Sequence, residues 1–163
     1  MGSGKSIIGK LVAQNLQISF YDLDELIENR LQMSISEIFK QKGEIYFRKI
    51  EHQIFEEFIQ KDETFVLSLG GGTPCYANNH LSFFKENIDS VYLNASIDTL
   101  CSRLSLERKN RPVIANLDDA AFKEYIAVHL FERSYFYNQA QYKISVNNKT
   151  VEEITTEIIA VLA

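Results

Sequence analysis

Gly2-Ser3-Gly4-Lys5-Ser6, running on through IIGKLVAQNLQ (7–17) into ISFYDLDE (18–25), is the stretch that decides the fold. The five opening residues are the second half of the phosphate-binding pattern G-x-x-x-x-G-K-[ST], in which small residues let successive backbone N–H groups curl around phosphate oxygens. Lys5 is then placed to reach the β- and γ-phosphates of a nucleotide, and the Ser6 hydroxyl to ligate Mg²⁺. Ile8, Leu11, Val12 and Leu16 recur at helical spacing, so a helix starts at the loop and turns its positive end toward the same anion. The apolar run from Ile18 to Tyr21 predicts a strand ending at Asp22. A glycine-serine tag accounts for the first residues but not for the amphipathic helix and the acid-ended strand that follow. A phosphate loop of this kind normally follows a buried strand. That strand and the first glycine of the pattern would fall ahead of Met1, so the sequence reads as having a truncated or misassigned start.

Asp22 and Asp24 stand two residues apart at the end of this strand, with Asp24 also able to cap the next helix. A magnesium–nucleotide site needs a carboxylate near the metal, and a hydroxyl nucleophile needs an acceptor for its proton. One carboxylate is expected to face the metal and the other the substrate.

Outward from this start, Ser34 and Glu37 have the spacing of a capping box for a short helix through Phe39. Gly43 can end it before a longer helix carrying Phe47, Ile50, Ile54 and Phe58. Thr64–Leu69 runs directly into Gly70, Gly71 and Gly72, and Ser90–Leu93 and Tyr142–Val146 are two further short strands. Helical sequence separates each strand from the next. That alternation predicts a three-layer α/β/α fold with a parallel central sheet and ligands at the carboxyl ends of its strands. Residues 103–116 (RLSLERKNRPVIAN) are polar and basic, interrupt the alternation, and read as a lid over about 104–116.

The 163 residues, 45% of them hydrophobic, suffice for one core and make a single domain, 1–163, the expectation. A formal charge of −5 argues against nucleic acid or an anionic membrane as partner. Cys75 and Cys101 show no metal-ligand or disulfide spacing, and no apolar run approaches a membrane span, so a cytoplasmic location is expected.

Taken in order, GSGKS, FYDLDELIE, GEIYFRKIE, LSLGGGTPC, the NRP of the lid and the ER-containing helix before the last strand resemble the shikimate kinase family over nearly the whole chain. The resemblance implies a monomeric nucleoside monophosphate kinase-like P-loop enzyme of the shikimate pathway to chorismate and the aromatic amino acids. It would transfer the γ-phosphate of ATP to the 3-hydroxyl of shikimate, with Mg²⁺ as cofactor and a substrate-binding helical segment over about 24–60. Gly2, Ser3, Gly4, Lys5 and Ser6 match the family's phosphate loop, Ser6 and Asp22 its metal residues, and Asp24 the acid that binds the shikimate hydroxyls and helps deprotonate the nucleophile. Arg48 and Arg133 match the arginines that hold the shikimate carboxylate. Gly71, flanked by Gly70 and Gly72, matches a backbone contact to substrate, and Arg111 the lid arginine that swings over the transferring phosphate.

The residues themselves point the same way. Arg48 interrupts an apolar stretch, Arg133 sits among Phe131, Tyr135 and Phe136, and a pair of guanidinium forks suits a planar carboxylate. Three consecutive glycines cost backbone entropy, which makes sense where a ligand must approach the main chain. Ile7 stands where the family commonly has Thr, a harmless change because Ser6 already serves the metal. The segment after the last strand lacks a proline often found there, leaving Lys149 and Arg103 as alternative flanks for the adenine. A gluconate kinase-like enzyme of the same fold and a non-catalytic nucleotide-binding module are the competing readings.

Overall fold

In the computed structural model, which describes residues 2–107 and 114–163, helices and strands alternate as the sequence predicts except between the second and third strands, which no α-helix separates. The elements are α1 (Lys5–Leu16), β1 (Ser19–Asp22), α2 (Leu23–Leu31), α3 (Ile35–Ile59), β2 (Phe65–Ser68), β3 (Val91–Asn94), α4 (Ile97–Glu107), α5 (Asp119–Tyr137), β4 (Tyr142–Ser145) and α6 (Val151–Leu162). Two short 3₁₀ turns, Thr73–Cys75 and Asn79–Phe84, fill the stretch between β2 and β3. Such turns have no apolar period of their own, and the sequence does not announce them.

All pairing is parallel. β1 runs beside β2 with Phe20 opposite Val66, and β3 beside β4 with Leu93 opposite Ile144. The predicted central sheet is thus present, among the described residues, as two two-stranded sheets. A cleft of about 780 Å³ separates them, and Val66 and Leu67 of β2, Leu93 of β3, and Ile8 and Val12 of α1 contribute to its walls.

Apolar side chains collect in two clusters. Ile8, Val12, Leu100, Leu104, Ile126 and Val146 join α1, α4, α5 and the β4 end in one, and Leu23, Ile27, Ile38, Phe47, Ile54 and Phe55 join α2 to α3 in the other. Each such side chain, fully buried, contributes about 1.5–3 kcal/mol.

Helix ends follow local chemistry. The Ser34 hydroxyl accepts from the Glu37 amide while the Glu37 carboxylate accepts from the Ser34 amide, so the predicted capping box opens α3. Gly43, at φ 82° and ψ 171°, breaks helical geometry inside α3 and re-aims the half that carries Arg48. That conformation is open almost only to glycine. Residues 104–107, assigned from sequence to the lid, instead belong to α4, where Leu104 is buried against Gly2. Ile114, at the other end of that segment, is also buried.

Candidate active site

The carboxyl ends of the strands converge on the Gly2–Ser6 loop. At the β1 end, the Ser6 hydroxyl donates to Asp22 Oδ2 at 2.7 Å. At the β4 end, Arg103 donates to the Val146 carbonyl at 3.2 Å and to the Ser3 carbonyl at 3.1 Å, tying the loop to the far pair of strands. Gly4 caps α1 in the left-handed region, at φ 91°, with no side chain closing the helix end. The first amide groups of α1 therefore face an approaching anion without a competing cap. Ile7 is largely solvent-exposed on this first turn.

The two aspartates make different contacts. Asp22 accepts from Ser6 through one oxygen and from the Asp24 amide through the other at 3.0 Å, so its side chain caps α2, the role that sequence had offered to Asp24. Asp24 is freed from capping and half-buried. Burial first, then the negative charges of Asp22 and Glu51, push its proton affinity above the ordinary carboxylate range, while nearby Lys5 opposes them. A carboxylate made more basic in this way is a better acceptor for a hydroxyl proton at neutral pH.

Gly70, Gly71 and Gly72 leave β2 and pass close to charged side chains. A Cβ on Gly70 would stand 3.2 Å from Glu51 Oε1 and 3.3 Å from Asp24 Oδ1, and one on Gly72 only 2.6 Å from Arg48 Nη2. A side chain at Gly72 would displace the Arg48 guanidinium, and one at Gly70 would crowd Thr73, Glu51 and Asp24.

Arg48 is a fixed group. Its guanidinium pairs with the fully buried Glu51 at 2.8 Å, lies over the Tyr76 ring at 4.2 Å, and has a weaker contact with Glu44 at 3.4 Å. Glu51 in turn accepts from the Thr73 hydroxyl at 2.7 Å, and the Asn79 amide holds the Thr73 carbonyl at 2.9 Å. Arg133 approaches from α5. Burial raises the Cys75 thiol while the charges of Arg133 and Arg48 oppose it, so both arginines act on a residue just after the glycine turn. The Tyr137 hydroxyl, one helical turn after Arg133, donates to the Gly71 carbonyl at 2.6 Å.

A separate hollow of about 550 Å³ opens between α4 and the segment after β4, lined by Asp98, Ser102, Arg103, Asn148, Lys149 and Thr150. Both sequence candidates for the adenine, Arg103 and Lys149, therefore border the same space. Lys149 is ion-paired with Glu157 at 2.7 Å, and Arg103 is committed to backbone carbonyls, so each would offer its flank more readily than its charge.

Every candidate within the described residues thus falls into one of three adjoining places: the loop and its aspartates, the glycine turn with two arginines, and the hollow behind Arg103. Arg111 lies outside the described residues. Sequence reading missed Glu51, Thr73 and Tyr137. Glu51 follows Arg48 by three residues, so the spacing of a helical ion pair was there to be read in FRKIE. Nothing in sequence marked Thr73 or Tyr137 as partners of this site, because both act across the chain.

The shikimate kinase family model matches residues 1–163. A shikimate kinase of Flavobacterium johnsoniae is 53% identical over 163 residues, a match covering 100% of this chain and 95% of the relative. One of Flavobacterium psychrophilum is 43% identical over 99% of this chain and 94% of its own. Among solved structures, the shikimate kinase of Bacteroides thetaiotaomicron superposes with a TM-score of 0.88 at 30% identity, over 99% of this chain and 93% of that one. The Acinetobacter baumannii shikimate kinase in complex with shikimate gives a TM-score of 0.86 at 28% identity, over 99% of this chain and 88% of that one.

Proposed function

The chain belongs to the shikimate kinase family, and from that premise and the geometry of its site we propose that it transfers the γ-phosphate of ATP to the 3-hydroxyl of shikimate. The observation that carries the reading is the glycine turn, against which Arg48 and Asp24 pack directly and to which Tyr137 ties the helix of Arg133. Two cationic forks beside exposed main chain suit a small carboxylated polyol, and a carboxylate made more basic by burial suits the acceptor of a hydroxyl proton.

In this reading Arg48 and Arg133 hold the substrate carboxylate, Gly71 and its neighbours contact the ring through backbone, and Asp24 orients the attacking hydroxyl and takes its proton. ATP lies with its phosphates on Gly2–Ser6 and its base in the hollow between Arg103 and Lys149. Lys5 neutralises the charge that develops on the transferring phosphoryl group, and Arg111 is assigned the same task from the lid. Positioning and electrostatics carry nearly all of such a reaction.

The Ser6 hydroxyl and the Asp22 carboxylate, hard oxygen donors 2.7 Å apart beside the phosphate loop, fit Mg²⁺, which takes few protein ligands and completes its shell with water and phosphate. Bound there, Mg²⁺ would screen the phosphate charge. We further assign the protein as a cytoplasmic monomer, from the family resemblance and its two free cysteines, acting on small molecules and not on nucleic acid, which its −5 charge disfavours.

A coupled assay of ADP release with MgATP tests this directly. Shikimate should drive turnover, whereas gluconate and a no-substrate control should not. Turnover with gluconate but not shikimate, or release of ADP independent of any acceptor, would overturn the assignment.

A further inference from the structure

The two arginines of the carboxylate end come from distant parts of the chain, and the structure braces them differently. Arg48 is tied to the glycine turn through Glu51 and Thr73 and lies directly under Gly72. Among the described residues, Arg133 has no such buried carboxylate at its side. What joins its helix to the turn is Tyr137, whose hydroxyl donates to the Gly71 carbonyl at 2.6 Å and feels the positive charge of Arg133, one helical turn earlier. A phenol has one proton, which Tyr137 commits to the carbonyl. Burial holds that proton on the oxygen against the opposing charge of Arg133. The ring itself is steadied by Tyr92, with centroids 5.1 Å apart.

We propose that Tyr137 is a positioning residue for the substrate, its hydroxyl setting the separation between Arg133 and the Gly70–Gly72 turn and hence the fit of the carboxylate end. The proposal rests on the reading that Arg133 holds the substrate carboxylate. Phenylalanine at this position would keep the ring packing but leave the Gly71 carbonyl without its partner. The turn and α5 would then be free to drift apart, and small displacements of a positioning group weaken binding strongly.

Steady-state kinetics of Tyr137→Phe, with Arg133→Ala beside it, tests the idea. Tyr137→Phe should raise KM for shikimate roughly three- to tenfold, the effect of one lost hydrogen bond, with kcat and KM for ATP little changed. The same ratio measured with the carboxamide of shikimate, which lacks the negative charge, should fall toward one. Combining Tyr137→Phe with Arg133→Lys should give less than the product of the two single effects, because both disturb one contact. If KM for shikimate stays put in Tyr137→Phe while Arg133→Ala raises it, the positioning role is overturned and the substrate reading survives. If neither variant moves it, the role of Arg133 falls as well. A uniform loss in kcat and both KM values, accompanied by a lower melting temperature, would mark Tyr137 as merely structural and also overturn the proposal. Should Tyr137→Phe fold too poorly to assay, Tyr137→Met fills the space with a flexible apolar chain, and the same split between the two KM values is required of it.

Discussion

At Asp24 the chemistry of the site works against the stability of the fold. Burial and the neighbouring charges of Asp22 and Glu51 raise its proton affinity, so the folded chain favours the protonated acid. Its contribution to stability is therefore present at low pH and lost as pH rises through the raised value. Asparagine cannot ionise. Asp24→Asn should melt at or above the temperature of the parent protein, with the gap widening from acid toward neutral pH in thermal melts by circular dichroism. The same variant should lose turnover by about a hundredfold or more, since a positioned proton acceptor contributes on that scale. For the parent, kcat/KM for shikimate should fall on the acid side at a higher pH than an ordinary aspartate, near 4, would give. Glu51→Gln removes one of the charges responsible and should move that limb to lower pH while raising KM for shikimate, because Arg48 loses its buried partner. Asp22 and Asp24 were legible in the sequence as acids at the end of a strand, whereas Arg48 and Arg133 were legible only through the family resemblance, because either alone reads as a solvated helix charge. Glu51 was not, for a glutamate in a helix reads as a solvated charge until the fold shows it fully buried.

The helix that carries Arg48 is aimed by one residue. Gly43 holds φ 82° and ψ 171° inside α3, and a Cβ there would meet nothing within 4 Å. Any loss on Gly43→Ala is therefore a cost of backbone conformation, about 1–3 kcal/mol. Ser34→Ala, at the start of the same helix, removes the cap and should cost about 1 kcal/mol. Urea midpoints should show both losses, and only Gly43→Ala should also raise KM for shikimate, because only it changes the direction in which Arg48 is presented. This element was readable in advance: the Ser34–Glu37 spacing and the glycine both announce themselves locally. The end of α4 was not. Leu104 is buried and Leu106 is exposed within a polar run, a pattern too short to distinguish the last turn of a helix from the start of a loop.

For the molecule as a whole, the order of strands and helices followed from alternation in the sequence, except between β2 and β3, where 3₁₀ turns without an apolar period stand in place of a helix. Ligands that bind the folded state should stabilise it. Shikimate at a hundred times its dissociation constant should add about 2.7 kcal/mol and raise the melting temperature, an effect that Arg133→Ala should largely remove. Both parallel pairs join residues far apart in sequence, Ser19 with Phe65 and Val91 with Tyr142. The chain must close long loops before either pair can form, so it should refold more slowly than a helical bundle of the same length.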